Sequence, residues 1–234
     1  MSSAPTNTLR LASGQFFLLM GVVISAVVIY GFGFTITDNL IHPAYPRPWV
    51  LYIHAAVMAA WIALFVVQAG LIRLRRPDLH RRIGQAGLTL GALIPVLGLA
   101  TAVAMARVRL AHGDMDAAVS FPIPVNDATG FAVAFTLAAR WRTRREYHRR
   151  LMFVATCVAT GAAFGRMPVL DHAEWFYSGV DVLIAIGAAR DLAVNGRVHV
   201  VYWYALPAVV CGQLLTAYIR WTPEWLSVAP RLFG

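Results

Sequence analysis

Lysine is absent from this 234-residue chain; all 20 basic residues are Arg. A retinal-type Schiff base is thereby excluded, because that chemistry needs a Lys amine. Charge of either sign is scarce, at 13% of residues, against about 25% in an ordinary soluble domain. Together with the apolar excess, this excludes a disordered chain, a collagen-like fibre and a charged coiled coil. Cysteine is limited to Cys157 and Cys211. Both lie inside apolar blocks without metal-ligand spacing, so they read as small core residues rather than a disulfide framework. The sequence also lacks a nucleotide-binding glycine motif, a nucleophile elbow and a zincin motif.

What fills the chain instead is apolar sequence: 59% hydrophobic residues and a mean hydropathy of +0.63. Apolar runs of about 20 residues recur, the length that crosses a bilayer as a helix. The pattern predicts an all-α bundle of seven transmembrane helices forming a single domain. The spans fall near 15–35, 48–72, 84–106, 119–139, 150–167, 174–190 and 198–219. The first is too long for a signal-peptide core and lacks a small-x-small cleavage site, so it is expected to be a retained helix.

The net charge of +9 comes from short Arg runs between apolar blocks. That placement points to orientation at a lipid surface rather than to nucleic acid. Fourteen Arg stand in Arg73–Arg82, in Arg140–Arg150 and at Arg10, Arg190 and Arg197; the six others are Arg47, Arg107, Arg109, Arg166, Arg220 and Arg231. The positive-inside rule then puts the N-terminus in the cytoplasm, in a bacterial inner membrane. Trp49, Tyr52, Trp175, Tyr177, Trp203, Trp221 and Trp225 fall near span ends, as an interfacial aromatic belt would. Gly84, Gly87, Gly91 and Gly98 share roughly one face of the third span, which suits close helix packing in lipid.

Asp78-Leu-His80-Arg81-Arg82-Ile83 and Glu146-Tyr-His148-Arg149-Arg150-Leu151 share one pattern, acid-x-His-Arg-Arg-apolar. Each follows two adjacent Arg, and each opens an outgoing helix. A weaker echo runs from Asp191 through Arg197 to His199, so the spans after the first read as three hairpins in parallel repeat. On the ingoing helices, His54, Asp127 and Asp181 each lie about two turns below the outer surface. Ionisable groups at that depth cost about 2.5–3.5 kcal/mol on insertion scales, so they are expected to face the bundle interior and find partners. Arg166 is the expected counter-ion for Asp127 or Asp181. His54, Trp61 and Gln68 recur every seven residues and form one stripe linking the outer polar cluster to the inner one.

Three chemistries suit these residues. Neutral imidazole is the commonest biological metal ligand. His80 and His148, at matching depth, could hold a haem b, with Arg81, Arg82, Arg149 and Arg150 on its propionates. With His199 they could instead hold a divalent metal, and His54, Asp127 and Asp181 form a second possible metal set. Such a protein would serve electron transfer or cofactor handling with a redox or membrane-complex partner. In the second reading, Asp127, Asp181, His54 and Arg166 form the proton relay of a small carrier. Pro122, Pro124 and Gly130 would then distort the fourth span, and oligomerisation would be expected. The third is a Zn-dependent membrane hydrolase. The structural alternatives are headgroup contact for the inner His and an ion pair with Arg166 for the outer acids. His42, His112 and His172 are expected to be exposed.

The run His54-x6-Trp61-x6-Gln68-x11-His80-Arg-Arg-Ile-Gly84, followed by His148-Arg-Arg-Leu-Met152, resembles a bacterial group of uncharacterised multi-span membrane proteins. In style, with His-bearing helices in a small bundle, the chain is similar to cytochrome b561-type proteins and to haem A synthase and oxidase-assembly membrane proteins. Those resemblances imply haem chemistry; Asp127 stands where the first of these patterns would place a fourth His. Seven spans with an inside N-terminus resemble the progestin and adiponectin receptor and alkaline ceramidase superfamily, which implies Zn held by three His. That family's His-x-x-x-His on the last helix is missing, since only His199 is present there.

Overall fold

The computed structural model describes residues 7–170 and 175–234, with side chains from residue 15 onward. Every regular element among them is helical: α1 (Asn7–Gly33), α2 (Trp49–Arg73), α3 (Pro77–Ala111), α4 (Asp116–Val119), α5 (Pro122–Arg140), α6 (Arg145–Val158), α7 (Gly161–Phe164), α8 (Phe176–Asn195), α9 (Val200–Arg220) and α10 (Pro223–Phe233). Four segments, Gln15–Gly33, Trp49–Arg73, Pro77–Ala111 and Val200–Arg220, are long and apolar enough to cross a membrane. The other three expected spans fall on α5, on α6 with α7, and on α8.

The distortion expected in the fourth span is not there. Pro122 occupies the first turn of α5, where a missing N–H costs nothing, and the helix then runs unbroken to Arg140. The interruption comes one span later. α6 stops at Val158, the buried Thr160 hydroxyl and amide both bond back to the Cys157 carbonyl, and the single turn α7 resumes at Gly161.

α6 forms the middle of the bundle. From Arg150 to Val158 only Met152 escapes full burial, the pattern of a helix enclosed on all sides. α5, α8 and α9 pack directly on it, Phe16 and Phe17 of α1 meet Phe153, and α2 and α3 pack on α1 and α5. The glycine face of α3 does what its spacing predicts. Gly84, Gly87 and Gly98 abut Gln68, Leu64 and His54 of α2, and a Cβ on Gly91 would collide with the Phe135 ring. Through that notch Phe131 and Phe135 of α5 reach Trp61 of α2, at centroid distances of 5.2 and 5.7 Å.

The amphipathic α10 was not expected from hydropathy. It lies on α3, α4 and α9, burying Ala229 and Phe233 against Ala106 and Ala118. Its local signal is Thr222-Pro223-Glu224: the Thr222 hydroxyl accepts from the Trp225 amide, Pro begins the helix and an acid follows. Trp49, Trp175, Trp203 and Trp221 are exposed, as belt residues should be, but Tyr177 is buried. Cys157 is a core residue as expected; Cys211 is exposed on the outward face of α9.

Candidate functional site

The two repeated motifs start α3 and α6 in the same way. The amides of His80 and His148 bond the carbonyls four residues back, Arg76 and Arg144, with Asp78 or Glu146 in the first turn, where an acid complements the helix dipole. The two imidazoles come together at 6.5 Å between centroids, with ring planes at 88°. His148 Nδ1 lies 2.9 Å from the Ala138 carbonyl at the end of α5. A carbonyl only accepts, so Nδ1 is the donor in this contact and Nε2 is the ring nitrogen left for a ligand. Among the described residues, His80 Nδ1 is buried without a partner, and so is the Oε1 of Gln68, whose amide nitrogen donates to the His80 carbonyl at 3.3 Å.

His199 does not join them. Its Nδ1 caps α9 by accepting from the Val201 amide at 3.2 Å, and its ring packs edge-on against Tyr147 at 4.8 Å. Burial and the nearby Arg150 charge hold it below the usual imidazole range, consistent with a neutral accepting ring. Among the described residues, no three His, Cys, Asp or Glu are grouped to hold a metal ion.

The arginines differ from expectation as well. Arg81 pairs with Asp78 at the exposed surface. Arg149 pairs with Glu146 at 2.5 Å and lies over the Phe17 ring. Arg150 turns inward and is not available to a propionate. Its Nε and Nη2 meet Asp191 at 2.6 and 2.8 Å, and its Nη1 meets the Glu146 carboxylate at 2.6 Å and carbonyl at 2.9 Å. Arg150 and Asp191 are each 1% exposed. Asp191 is therefore the ionic partner of α6, not the opening of a third repeat, and Arg190 adds a contact to it at 2.8 Å.

Glu146 supplies a pH prediction. Partial burial pushes its carboxyl up, but the Arg150 hydrogen bond and the Arg149 charge outweigh this and hold it below the usual carboxylate range. A depressed folded-state value stabilises at pH above the unfolded value, about 4.3, and that contribution disappears as pH falls through the folded value. The stabilisation that Glu146 contributes in detergent should therefore be constant between pH 8 and about 5. Below that window it should fall, with a shallower acid slope in Glu146→Gln.

At the end of the bundle away from His80 and His148, the predicted trio is not united. Asp127 Oδ1 lies 3.3 Å from both the Tyr177 hydroxyl and Asn126 Nδ2, while Oδ2 packs against Gly161 at the α6–α7 break. Asp181 accepts from Gln213 Nε2 at 2.9 Å. Each acid is thus met by neutral donors. Arg166, expected as their counter-ion, instead donates to the Thr35 hydroxyl at 3.1 Å and to the Ala162 carbonyl, and lies over Phe32. The cause is the break: α7 packs on α1, so the residue that follows it faces α1 and not α5. His54 lies beside Gly98 with a buried, unpartnered Nδ1.

No protein-family model, curated protein or solved structure matches the chain. Along the α2 stripe, His54 and Gln68 lie against Gly98 and Gly84 of α3 and Trp61 against Phe131 and Phe135 of α5; among the described residues, His54 Nδ1, Trp61 Nε1 and Gln68 Oε1 are buried without a partner. Three side chains escaped sequence reasoning: Asn126, Tyr177 and Gln213. The available signals were an amide beside Asp127, a Tyr one turn before Asp181 and a lone amide in the apolar run of α9. His42 and His112 are exposed as expected, His112 stacking on Tyr45 at 3.9 Å; His172 lies outside the described residues.

Proposed function

We propose that this integral membrane protein crosses a bacterial inner membrane seven times, N-terminus inside. At its inner face it would hold a haem b between His80 and His148, for electron transfer or cofactor handling. The excess of Arg in the inner connections supports the orientation. The observation that carries the cofactor reading is the separation of the two rings. Two metal–nitrogen bonds of about 2.0–2.1 Å, each extended by roughly 1 Å to a ring centre, set opposed imidazoles about 6 Å apart; the rings stand at 6.5 Å. The Ala138 carbonyl orients His148 as an outer hydrogen bond orients a metal-bound imidazole. Two protein ligands suit haem, whose macrocycle supplies the rest, better than a divalent ion such as Zn, which takes three or four. When bound, haem would supply one-electron transfer.

The alternatives draw less support. A carrier would use Asp127, Asp181 and His54, with the α2 stripe as its path. His54 and Gln68 are separated by about 21 Å of helix, and Trp61 between them offers an indole N–H that donates but cannot pass a proton on. A three-His Zn hydrolase would need His199, whose Nδ1 is committed to capping α9.

The test is an absorption spectrum and metal analysis of detergent-purified protein. A Soret band with about one iron per chain is expected, lost in His80→Ala and His148→Ala and kept in His199→Ala. Colourless, metal-free protein from a haem-replete host would overturn the reading. Metal without colour would move it to a divalent ion.

A further inference from the structure

We infer that the cleft between α5 and α9 binds a single-chain lipid with an uncharged oxygen head, a carbonyl or hydroxyl, seated among Asn126, Tyr177 and Gln213. The cleft is about 560 Å³ and is floored by Leu151, Val154 and Val158 of α6 and Val180 of α8. This is the size range of small-ligand sites. It opens sideways between the two helices, with Val133 and Tyr204 exposed at its edges, so a ligand can enter from the hydrocarbon. It extends along α5 from Trp141 to Asn126, about 22 Å of helix rise, which is most of the roughly 30 Å apolar core. A long, narrow cleft of that volume takes one chain.

Polarity is concentrated at one end. Asn126, Asp127, Tyr177 and Gln213 line the outer end, and Tyr177 and Gln213 are 5% and 6% exposed. Among the described residues, no Arg or His lines the cleft. A phosphate or free carboxylate head would therefore meet Asp127 without a counter-ion in a low-dielectric site. A carbonyl oxygen can accept from the second amide hydrogen of Gln213, whose first donates to Asp181, and a hydroxyl can in addition donate to Asp127. Gly212 maintains the seat: a Cβ there would collide with Asn126 Oδ1. The cleft reaches its polar end on the side of the bundle away from His80 and His148, so the inference does not rest on the haem reading.

Delipidated protein in dodecyl maltoside should bind one saturable equivalent of decylbenzoquinone or of farnesol, read by native mass spectrometry. Preference for the quinone assigns a carbonyl head, preference for farnesol a hydroxyl head. Oleic acid and dioleoylphosphatidylglycerol should compete poorly. Ala208→Trp, at an exposed position on the edge of the cleft, and Asn126→Ala should each weaken binding at least tenfold. Val182→Trp, on the exposed face of α8, should leave it unchanged. Ala208→Trp should also leave any absorption spectrum unaltered, which separates failure here from failure of the haem reading. Equal uptake by all variants, or phosphatidylglycerol binding as tightly as the neutral probes, would mean ordinary annular lipid and overturn the inference.

Discussion

Asp191→Ala should lower the unfolding free energy of the detergent-solubilised protein by about 3–5 kcal/mol, the usual cost of removing one member of a buried ion pair. Arg150 and Asp191 are each 1% exposed and joined by two hydrogen bonds. Removing the carboxylate strands a guanidinium in the bundle, and the Glu146 contact at 2.6 Å reaches only Nη1. Asp191→Asn, which preserves volume and one acceptor, should cost less than Ala. The double variant Arg150→Met/Asp191→Leu should recover most of the loss, because well-packed apolar replacements of a buried pair are often neutral or stabilising. Chemical or thermal unfolding of the three variants checks the ordering. A cost for Asp191→Ala below about 1 kcal/mol would mean that the pair behaves as a solvated surface bridge. The pair ties α6 to α8 two residues beyond His148, so Asp191→Ala should also disturb the His80–His148 geometry and any spectrum that depends on it.

That pair marks what the sequence concealed. Arg150 belongs to a run of surface arginines, and its partner lies 41 residues away. Nothing local distinguishes it from Arg149; only the burial of α6, decided by the helices packed on it, turns one inward. Arg166 failed for a related reason. A continuous fifth span would have carried it round to the acids, but the break after Val158 redirects it to Thr35. Features set by periodicity were legible. The glycines of α3 give the close helix packing their spacing implied, and the equivalent positions of His80 and His148 in two like helix starts anticipated their convergence. His199 shows the limit of that logic: it also precedes a returning helix, yet it lies outside α9 as its cap rather than within the first turn.

Trp61→Ala should be about as damaging as the broken ion pair, by about 3–5 kcal/mol, because it empties a large volume in a packed interior. Trp61 is 1% exposed and packs against Phe131 and Phe135. Gly91 and the Phe135 ring are already in close contact, leaving little backbone movement with which to close the space. Trp61→Phe should behave very differently. The indole Nε1 has no partner among the described residues, and a buried unsatisfied donor costs about 1–3 kcal/mol. Its removal offsets the smaller ring's lost contacts, so Phe should fall within about 1 kcal/mol of the parent by the same unfolding measurement. A loss with Phe approaching that with Ala would mean that the indole N–H has a partner the protein itself does not supply. With the neighbouring orphan atoms of His54 and Gln68, that result would identify the α2–α3 interface as hydrated or occupied along its length. It would also restore the polar path that a carrier requires.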